Sequence, residues 1–235
     1  MAKPTVGSMS AWSGVLKDLF RQIDDGSHSL EAVKAFNEHR NPFGLSVATD
    51  ISETLTSQQL FYRQFFGLDL DFSDLRIPTP KPGFTHLLIV AEGLTPNRVY
   101  DVCSQHFPCW RYTNDLDAAL DWAKEERDPR KGAYAIWIRD MVEADENLKN
   151  ISADSIKARG LTTETLTERL LQELVCWHET KKRLDVQNIT LCSGSRGRGG
   201  RVPGVDWSRH DGRVDVSYYR SGDSSSDLRS RQVVS

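Results

Sequence analysis

The stretch Asn188–Arg201 combines a strand-like start with a loop of small residues, hydroxyls and arginines. Its glycines let the backbone approach a ligand and expose N–H groups, and Ser193 and Ser195 add hydroxyl donors. An arginine guanidinium is a planar fork that pairs with phosphate or carboxylate through two hydrogen bonds. The composition therefore predicts an anion site formed by Ser193 and Ser195, on which four arginines converge: Arg196, Arg198, Arg229 and Arg231. The alternative is a surface loop that simply joins two strands.

This loop matches none of the standard phosphate or nucleophile motifs. It lacks the Gly-Lys-Ser/Thr ending of a Walker A loop, and it fits neither Gly-x-Gly-x-x-Gly nor Gly-x-Ser-x-Gly. Arg196–Arg201 also resembles a short Arg-Gly-Gly tract of the kind that contacts RNA. Residues 187–235 contain 8 arginines, no lysine and 5 aspartates, a charge of +3, whereas 22 basic and 28 acidic residues elsewhere leave −6. These arginines either face an anionic ligand or pair with the local aspartates.

A second candidate site is a group of acidic residues that follows the predicted strand 134–138. Its members are Asp140, Glu143, Asp145 and Glu146. Ligands of α/β sheets commonly bind beyond the carboxyl ends of strands, and two or three carboxylates there can hold Mg²⁺ or Mn²⁺ for phosphoryl chemistry. Asp140, Glu143 and Asp145 are thus the catalytic or metal-binding candidates of an alternative function, a metal-dependent phosphoesterase or nuclease. A solvated acidic helix start, favoured by the helix dipole, explains the same residues without a metal.

Zinc and covalent catalysis have weaker support. Cys103, His106 and Cys109 lie close in sequence, but Cys103 fits the apolar stripe of a helix, and Cys176 and His178 point in different directions on theirs. No cofactor is therefore predicted, except Mg²⁺ or Mn²⁺ for the enzyme alternative. A Cys-His or Ser-His nucleophile remains a hypothesis, with Cys192 before the glycine loop and a histidine brought near it by the fold; a buried strand cysteine is the alternative.

The elements that must position these residues divide the chain into three parts. Residues 1–8 look like a leader or a cloning remnant, and residues 9–68 are predicted as a helical subdomain with helices near 12–23, 29–38 and 57–66. The third helix carries an aromatic stripe that is typical of a core. Alternating prolines make residues 69–83 an extended linker.

Residues 84–235 alternate strands and helices, the pattern of an α/β domain. Strands are predicted at 84–90, 110–113 and 134–138, and Thr95-Pro96 begins a helix between the first two. The longest helix, 165–183, starts with a capping box of Thr165 and Glu168 and leads into the strand 188–192. Asp211-Gly212 predicts a hairpin with positive φ at both positions, and residues 228–234 an edge strand. The predicted fold is α/β with a mixed sheet, with α+β as the alternative.

The composition is that of an ordinary globular protein, with 38% apolar and 27% charged residues in a chain of 235. A net charge of −3 excludes a generally basic nucleic-acid coat but leaves room for a local basic patch. The longest strongly apolar run, Leu87–Ala91, is too short to span a bilayer, and no signal pattern is visible. The four cysteines contain no Cys-x-x-Cys pair. A cytoplasmic protein without a membrane partner is expected.

Three groups of segments resemble an uncharacterised family of bacterial proteins. They are Tyr134–Asp140 with Glu143–Glu146, then Ile189–Arg196, then Leu228–Arg231. The resemblance extends from about Gln59 to Ser235. It implies that the α/β part is one unit, and it brings no activity, cofactor, partner or site residue with it.

The sequence leaves three classes of function open. The first is a binding module for a phosphate-bearing ligand, nucleic acid or nucleotide, that uses the arginine-rich C-terminal face. The second is the metal-dependent enzyme. The third is a protein–protein adaptor of a mobile-element or defence system, whose partner docks on the N-terminal helices and whose mark is an exposed apolar patch there.

Overall fold

The computed structural model of the protein describes Lys17, Phe20, Arg21 and residues 51–235. These first three residues have helical backbone; the rest of the predicted helix 12–23 and the whole of the predicted helix 29–38 lie outside the described residues. The chain divides into two compact units, Met1–Asp50 and Ile51–Ser235. All the described strands and every candidate site residue belong to the second unit.

This unit contains five α-helices and seven strands in the order α1-β1-α2-β2-α3-β3-α4-α5-β4-β5-β6-β7. The helices are α1 Ile51–Phe66, α2 Pro96–His106, α3 Leu116–Ala119, α4 Ala153–Ala158 and α5 Leu166–Thr180. The strands are β1 His86–Val90, β2 Cys109–Arg111, β3 Tyr134–Ile138, β4 Ile189–Leu191, β5 Val202–Ser208, β6 Arg213–Tyr219 and β7 Leu228–Arg229. Short 3₁₀ helices are Trp122–Lys124, Pro129–Lys131 and Glu146–Leu148. In the part of the chain that the structure describes, no helix combines the length and the apolar character needed to cross a membrane.

The main sheet has five strands in the order β2-β6-β5-β4-β7. The pairs β5–β6 and β4–β5 are antiparallel, whereas β2–β6 and β4–β7 are parallel. The predicted α/β fold with a mixed sheet, a C-terminal hairpin and a returning edge strand is therefore confirmed. In the hairpin loop, Gly212 has a φ of +65° but Asp211 does not have a positive φ, so the expected two-residue turn is wrong: residues 209–212 form a longer loop.

A second, smaller sheet is formed by β1 and β3, which pair antiparallel with His86 opposite Ile138. Four of the five residues of each strand are buried, which explains the continuous apolar runs. The tail of the chain extends this sheet, because Trp137 and Val234 exchange backbone hydrogen bonds of 2.9 and 3.0 Å. The strands expected to share one sheet are thus divided between two.

Helix α5 is the centre of the unit. The Thr165 hydroxyl accepts a hydrogen bond from the Glu168 backbone N–H, and the Glu168 carboxylate accepts one from the Thr165 N–H, so the predicted capping box is confirmed. Leu166, Leu170 and Leu174 are fully buried in the core, in one cluster with side chains of both sheets. The helix ends at Thr180. The next residue, Lys181, has a φ of +59° and turns the chain toward β4.

Helix α1 closes the free edge of β1 with side chains instead of a neighbouring strand. The Gln58 amide donates to the Leu87 carbonyl at 2.5 Å and accepts from the Ile89 N–H at 2.9 Å. The Tyr62 hydroxyl donates to the Ile89 carbonyl at 2.6 Å and accepts from the Ala91 N–H at 3.2 Å. Because of these contacts, α1 belongs to the α/β unit, and the boundary predicted at residues 69–83 falls inside that unit.

Candidate functional site

The glycine–arginine loop divides into a buried and an exposed half. Residues 193–197 are buried and residues 198–201 are exposed. The buried half lies against the N-terminus of α5, where the Gly194 N–H donates to the Glu164 carbonyl at 3.0 Å. A Cβ at Gly194 would lie 2.5 Å from the Thr163 carbonyl oxygen, so only glycine fits this contact.

The buried half binds a carboxylate of the same chain. The Ser195 hydroxyl donates to Glu125 Oε2 at 2.8 Å, and the Arg196 N–H donates to Glu125 Oε1 at 3.2 Å. The same hydroxyl accepts from the Leu166 N–H at 2.8 Å, one of the first amides of α5. Burial raises the pKa of Glu125 to about 8 in spite of these hydrogen bonds, which act to lower it. The place predicted for an anion is thus occupied by the Glu125 carboxyl group, which this raised pKa keeps largely protonated near neutral pH.

Arg196 and Ser193 also have internal partners. The Arg196 guanidinium is buried and donates to three backbone carbonyls: Ser193 at 2.7 Å, Ser195 at 2.9 Å and Ala153 at 3.2 Å. The Ser193 hydroxyl lies 2.8 Å from the Ser230 hydroxyl, and both residues are buried. Neither side chain faces solvent. Through these hydrogen bonds the two residues connect the end of β4 with α4 and with the C-terminal segment 230–235, called the tail.

The surroundings of Arg231 and Arg229 differ from each other and from those of Arg196. Arg231 is buried and contacts Asp185 Oδ1 at 2.6 Å, and it also donates to the Met141 and Val142 carbonyls. Arg229 contacts Glu146 Oε2 at 2.5 Å at the surface. The four arginines predicted to converge therefore do not meet at one point, because three of them are held by separate acceptors within the chain and only Arg198 is exposed.

Asp185 is the centre of a buried ionic cluster. Its carboxylate contacts Arg231 at 2.6 Å, Arg169 Nε at 2.8 Å and the Thr190 hydroxyl at 2.5 Å. Burial acts to raise the pKa of Asp185, but the two guanidinium groups and the hydroxyl outweigh it, and the pKa is lowered. Glu173 supplies a second carboxylate to Arg169 at 2.9 Å. Since every member is nearly inaccessible, this cluster holds α5, β4 and the tail together.

The acidic residues after β3 do not form one group. Asp145 is buried and contacts Arg139 at 2.6 Å, and Glu143 accepts from the Asn188 amide at 2.5 Å. Glu146 contacts Arg229 and Asp140 is exposed. Across residues 51–235, no three His, Cys, Asp or Glu side chains are arranged to hold a metal ion. The candidates Asp140, Glu143 and Asp145 are therefore separated, each in its own surroundings.

The nucleophile candidates have no histidine beside them in residues 51–235. Cys192 is fully buried, and burial raises the pKa of its thiol well above the ordinary value. Its hydrogen-bond acceptor is the Thr190 carbonyl at 3.9 Å, and Ser195 contacts Glu125 and Leu166. No histidine among the described residues contacts either side chain. All four cysteines are free thiols, and Cys103 is buried in α2 as the helical spacing predicted.

The exposed half of the loop is a glycine turn that backbone hydrogen bonds hold at its start. The Gly197 N–H donates to the Arg201 carbonyl at 2.7 Å, and the Arg198 N–H donates to the Ala119 carbonyl at 2.8 Å. Gly199 and Gly200 have φ angles of +83° and +82°, a conformation that disfavours other residues. The turn therefore holds Arg198 and Arg201 at the surface on a defined backbone.

Two tyrosines lie beside this turn. The Arg201 guanidinium carbon lies 4.1 Å from the centre of the Tyr218 ring, and the Tyr112 and Tyr218 rings meet edge to face at 4.7 Å. Tyr218 is 42% exposed. Arg220 follows β6 directly. The residue before it, Tyr219, pairs with Val202 of β5, and Val202 is the residue after Arg201. We call these five residues the arginine–tyrosine surface: Tyr112, Arg198, Arg201, Tyr218 and Arg220.

The arginines of this surface differ from the other exposed arginine–aromatic pair of the sheet. Arg213 lies 5.4 Å from the Trp110 ring centre, but it also contacts Asp215 at 2.6 Å and Asp211 at 3.5 Å. Within residues 51–235, no carboxylate lies within ion-pairing distance of the guanidinium group of Arg198, Arg201 or Arg220, although the Asp223 carboxylate accepts a hydrogen bond from the Arg220 backbone N–H at 2.8 Å. The alternating Val214-Val216-Tyr218 pattern placed Tyr218 on the same face as core residues, and the pattern gave no sign that the last position is open to solvent.

Comparison of the chain with protein-family models, with curated proteins and with solved structures finds no match. The residues and their geometry are therefore the basis for the proposed function.

Proposed function

We propose that this protein binds single-stranded nucleic acid through the arginine–tyrosine surface. One observation carries the proposal: the Arg201 guanidinium lies over the ring of Tyr218, a residue that is 42% exposed, on a glycine turn, with no carboxylate within ion-pairing distance among residues 51–235. Exposed aromatic rings stack with unpaired bases, and adjacent arginines contact the phosphates between them. The two groups needed for such binding are thus combined in one place.

The details of the turn favour a phosphodiester chain as the ligand. Gly199 and Gly200 have no side chains to keep a ligand away from their backbone, and nothing lies within 4 Å of the positions their Cβ atoms would occupy. Arg198, Arg201 and Arg220 place three positive charges in one region of a chain whose net charge is −3. The basic region is local, which suits a short single-stranded segment better than a long duplex.

The other two classes of function have less support. A metal-dependent enzyme needs carboxylates that share a site, whereas Asp145 contacts Arg139 and Glu143 contacts Asn188. For an adaptor, the described part of the N-terminal helices offers three exposed apolar residues, Phe20 at 63%, Ile51 at 41% and Leu60 at 59%, and exposed apolar residues of this number are ordinary.

Fluorescence anisotropy with a labelled oligothymidylate of about ten nucleotides tests the proposal. We expect the double variant Arg198→Glu/Arg201→Glu to weaken binding at least about tenfold, or about 1.4 kcal/mol, and to make the affinity less dependent on salt. Tyr218→Ala removes a stacking platform and should cost about 1–3 kcal/mol of binding free energy.

Arg209→Glu is the matched control. Arg209 is also exposed and follows β5 at the opposite end of the same hairpin, roughly 27 Å from Arg201 at about 3.4 Å per residue. Arg209→Glu changes the net charge in the same direction but leaves the arginine–tyrosine surface intact. No binding by the unaltered protein, or equal weakening by Arg209→Glu and Arg201→Glu single variants, would overturn the proposal.

A further inference from the structure

A cavity of about 700 Å³ lies on another part of the unit, between the extended segment 75–81, the start of β3 and the tail 233–235. Its volume falls in the range of about 300–1,000 Å³ that is typical of small-molecule sites. Leu75, Pro78 and Val233 contribute apolar lining. The cavity shares no residue with the arginine–tyrosine surface.

The side-chain charges around this cavity are positive. Arg76, Lys81 and Arg127 line it, and no Asp or Glu side chain of residues 51–235 does. Arg127 is balanced, because its Nε contacts Glu168 at 2.6 Å. Arg76 and Lys81 are exposed at the rim, and neither has an ion-pair partner among residues 51–235. The cavity therefore combines apolar walls with two cations that lack an ion-pair partner among residues 51–235, and Ser235 also lines it.

Tyr134 also lines the cavity. Its hydroxyl is buried, and burial together with the nearby charge of Glu168 raises the pKa of Tyr134, so the hydroxyl keeps its proton. Tyr134 therefore adds no charge to the lining.

We propose that this cavity binds a small organic anion, an apolar body that carries one carboxylate, sulfonate or phosphate group. The acidic group pairs with Arg76 and Lys81 at the rim, and the apolar body fills the space beside Leu75, Pro78 and Val233. This ligand site is independent of the proposed nucleic-acid binding.

The test uses 1-anilinonaphthalene-8-sulfonate, an aromatic sulfonate whose fluorescence rises in apolar surroundings, and the full-length protein. We expect one saturable site. The variant Arg76→Glu/Lys81→Glu should weaken dye binding at least about tenfold because it reverses both rim charges. Ala133→Trp fills the cavity from an exposed position and should abolish the binding. Lys157→Glu, an exposed charge reversal on α4, should bind the dye like the unaltered protein.

Two further measurements make the result decisive. Circular dichroism and thermal unfolding show whether each variant is folded, and Arg76→Glu/Lys81→Glu changes only exposed side chains if Ala133→Trp does not fold. Arg198→Glu/Arg201→Glu should keep dye binding, and Arg76→Glu/Lys81→Glu should keep oligonucleotide binding. Absence of a saturable site, or unchanged dye affinity in Arg76→Glu/Lys81→Glu, overturns the proposal whatever the outcome for nucleic acid.

Discussion

Arg196 and Arg201 stand five residues apart in one loop and have opposite surroundings. The Arg196 guanidinium is buried against three carbonyl oxygens, whereas Arg201 lies over an exposed tyrosine ring. The loop turns from interior to surface between them, at Gly197. The two halves of this loop thus contain the same residue types, but the arginine of one half is bound in the interior and that of the other half lies at the surface.

The difference shows that the position of the acceptors decides what an arginine does. A buried guanidinium must be paired, since desolvation of an unpaired charge is costly, and the interior supplies carbonyls and carboxylates for Arg196 and Arg231. The exposed half has no such acceptors nearby among residues 51–235, so its charge remains available to a ligand. We expect substitutions in the buried part to change stability, and substitutions in the exposed part to change binding.

The largest effect is expected at Asp185. Asp185→Ala leaves Arg169 and Arg231 buried without their shared carboxylate, and loss of one partner of a buried ion pair costs about 3–5 kcal/mol. Glu146→Ala, which removes the partner of the less buried Arg229, should cost at most about 1 kcal/mol. Urea denaturation measures both free energies of unfolding. Equal losses would contradict the distinction between fully buried and partly buried arginines.

The next effect compares two glycines of the loop. Gly194→Ala places a Cβ 2.5 Å from a backbone carbonyl oxygen in a packed region, and we expect a loss of about 3 kcal/mol. Gly199→Ala has open space around it but a φ of +83°, so the loss should be about 1 kcal/mol. Thermal or urea unfolding of both variants gives the comparison. If Gly199→Ala were the more damaging of the two, the loop would not be divided into a packed and an open half.

The third effect is a dependence on pH that arises in the buried region. Burial raises the pKa of both Glu125 and Glu164 to about 8, from an ordinary value of 4.5. The folded protein then holds protons that the unfolded chain releases, so the free energy of unfolding should fall as the pH rises from about 4.5 to 8, by up to about 1.4 kcal/mol per pH unit for each group.

Glu164→Gln replaces one of these acids by a neutral side chain of similar shape. It should make the slope of stability against pH shallower by up to about 1.4 kcal/mol per pH unit between about pH 5 and pH 8, as urea denaturation at several pH values would measure. Glu53→Gln, an exposed substitution on α1, is the control and should leave the slope unchanged. A slope that Glu164→Gln does not alter would mean that this carboxyl is ionised in the folded protein.

The smallest effect on stability is expected in the exposed half of the loop. Arg198→Glu/Arg201→Glu should change the free energy of unfolding by no more than about 0.5 kcal/mol, because neither guanidinium has an ion-pair partner in residues 51–235. The same variant should lose oligonucleotide binding in the anisotropy experiment. A loss of stability comparable with that of Gly194→Ala would show that the exposed arginines also hold the fold together.

The elements with local signals could be predicted from the sequence. Thr165 and Glu168 are three residues apart, and their capping box forms as expected. Pro96 begins α2, and Gly212 takes the positive φ of the hairpin loop. In each case the residues that determine the structure are neighbours along the chain, so their types and spacing are sufficient.

The candidate site could not be predicted in the same way, because its partners are distant in sequence. Glu125 and Ser195 are 70 residues apart, and Arg231 and Asp185 are 46 apart. Nothing in the loop itself indicates that Glu125 would fill the cradle that its hydroxyls and amides suggested. The division of β1 and β3 from the main sheet is a long-range outcome too, since it depends on which strands meet and not on the pattern within either strand.

The contacts of Gln58 and Tyr62 with β1 have a consequence for self-association. An open strand edge is a template on which another chain can pair, and natural proteins cover such edges. Here two side chains of α1 satisfy the Leu87 and Ile89 carbonyls and the Ile89 and Ala91 N–H groups that a further strand would use. Helix α1 therefore acts as a cover for an aggregation-prone edge, and a chain without residues 51–66 would present an apolar, hydrogen-bonding strand to its own copies.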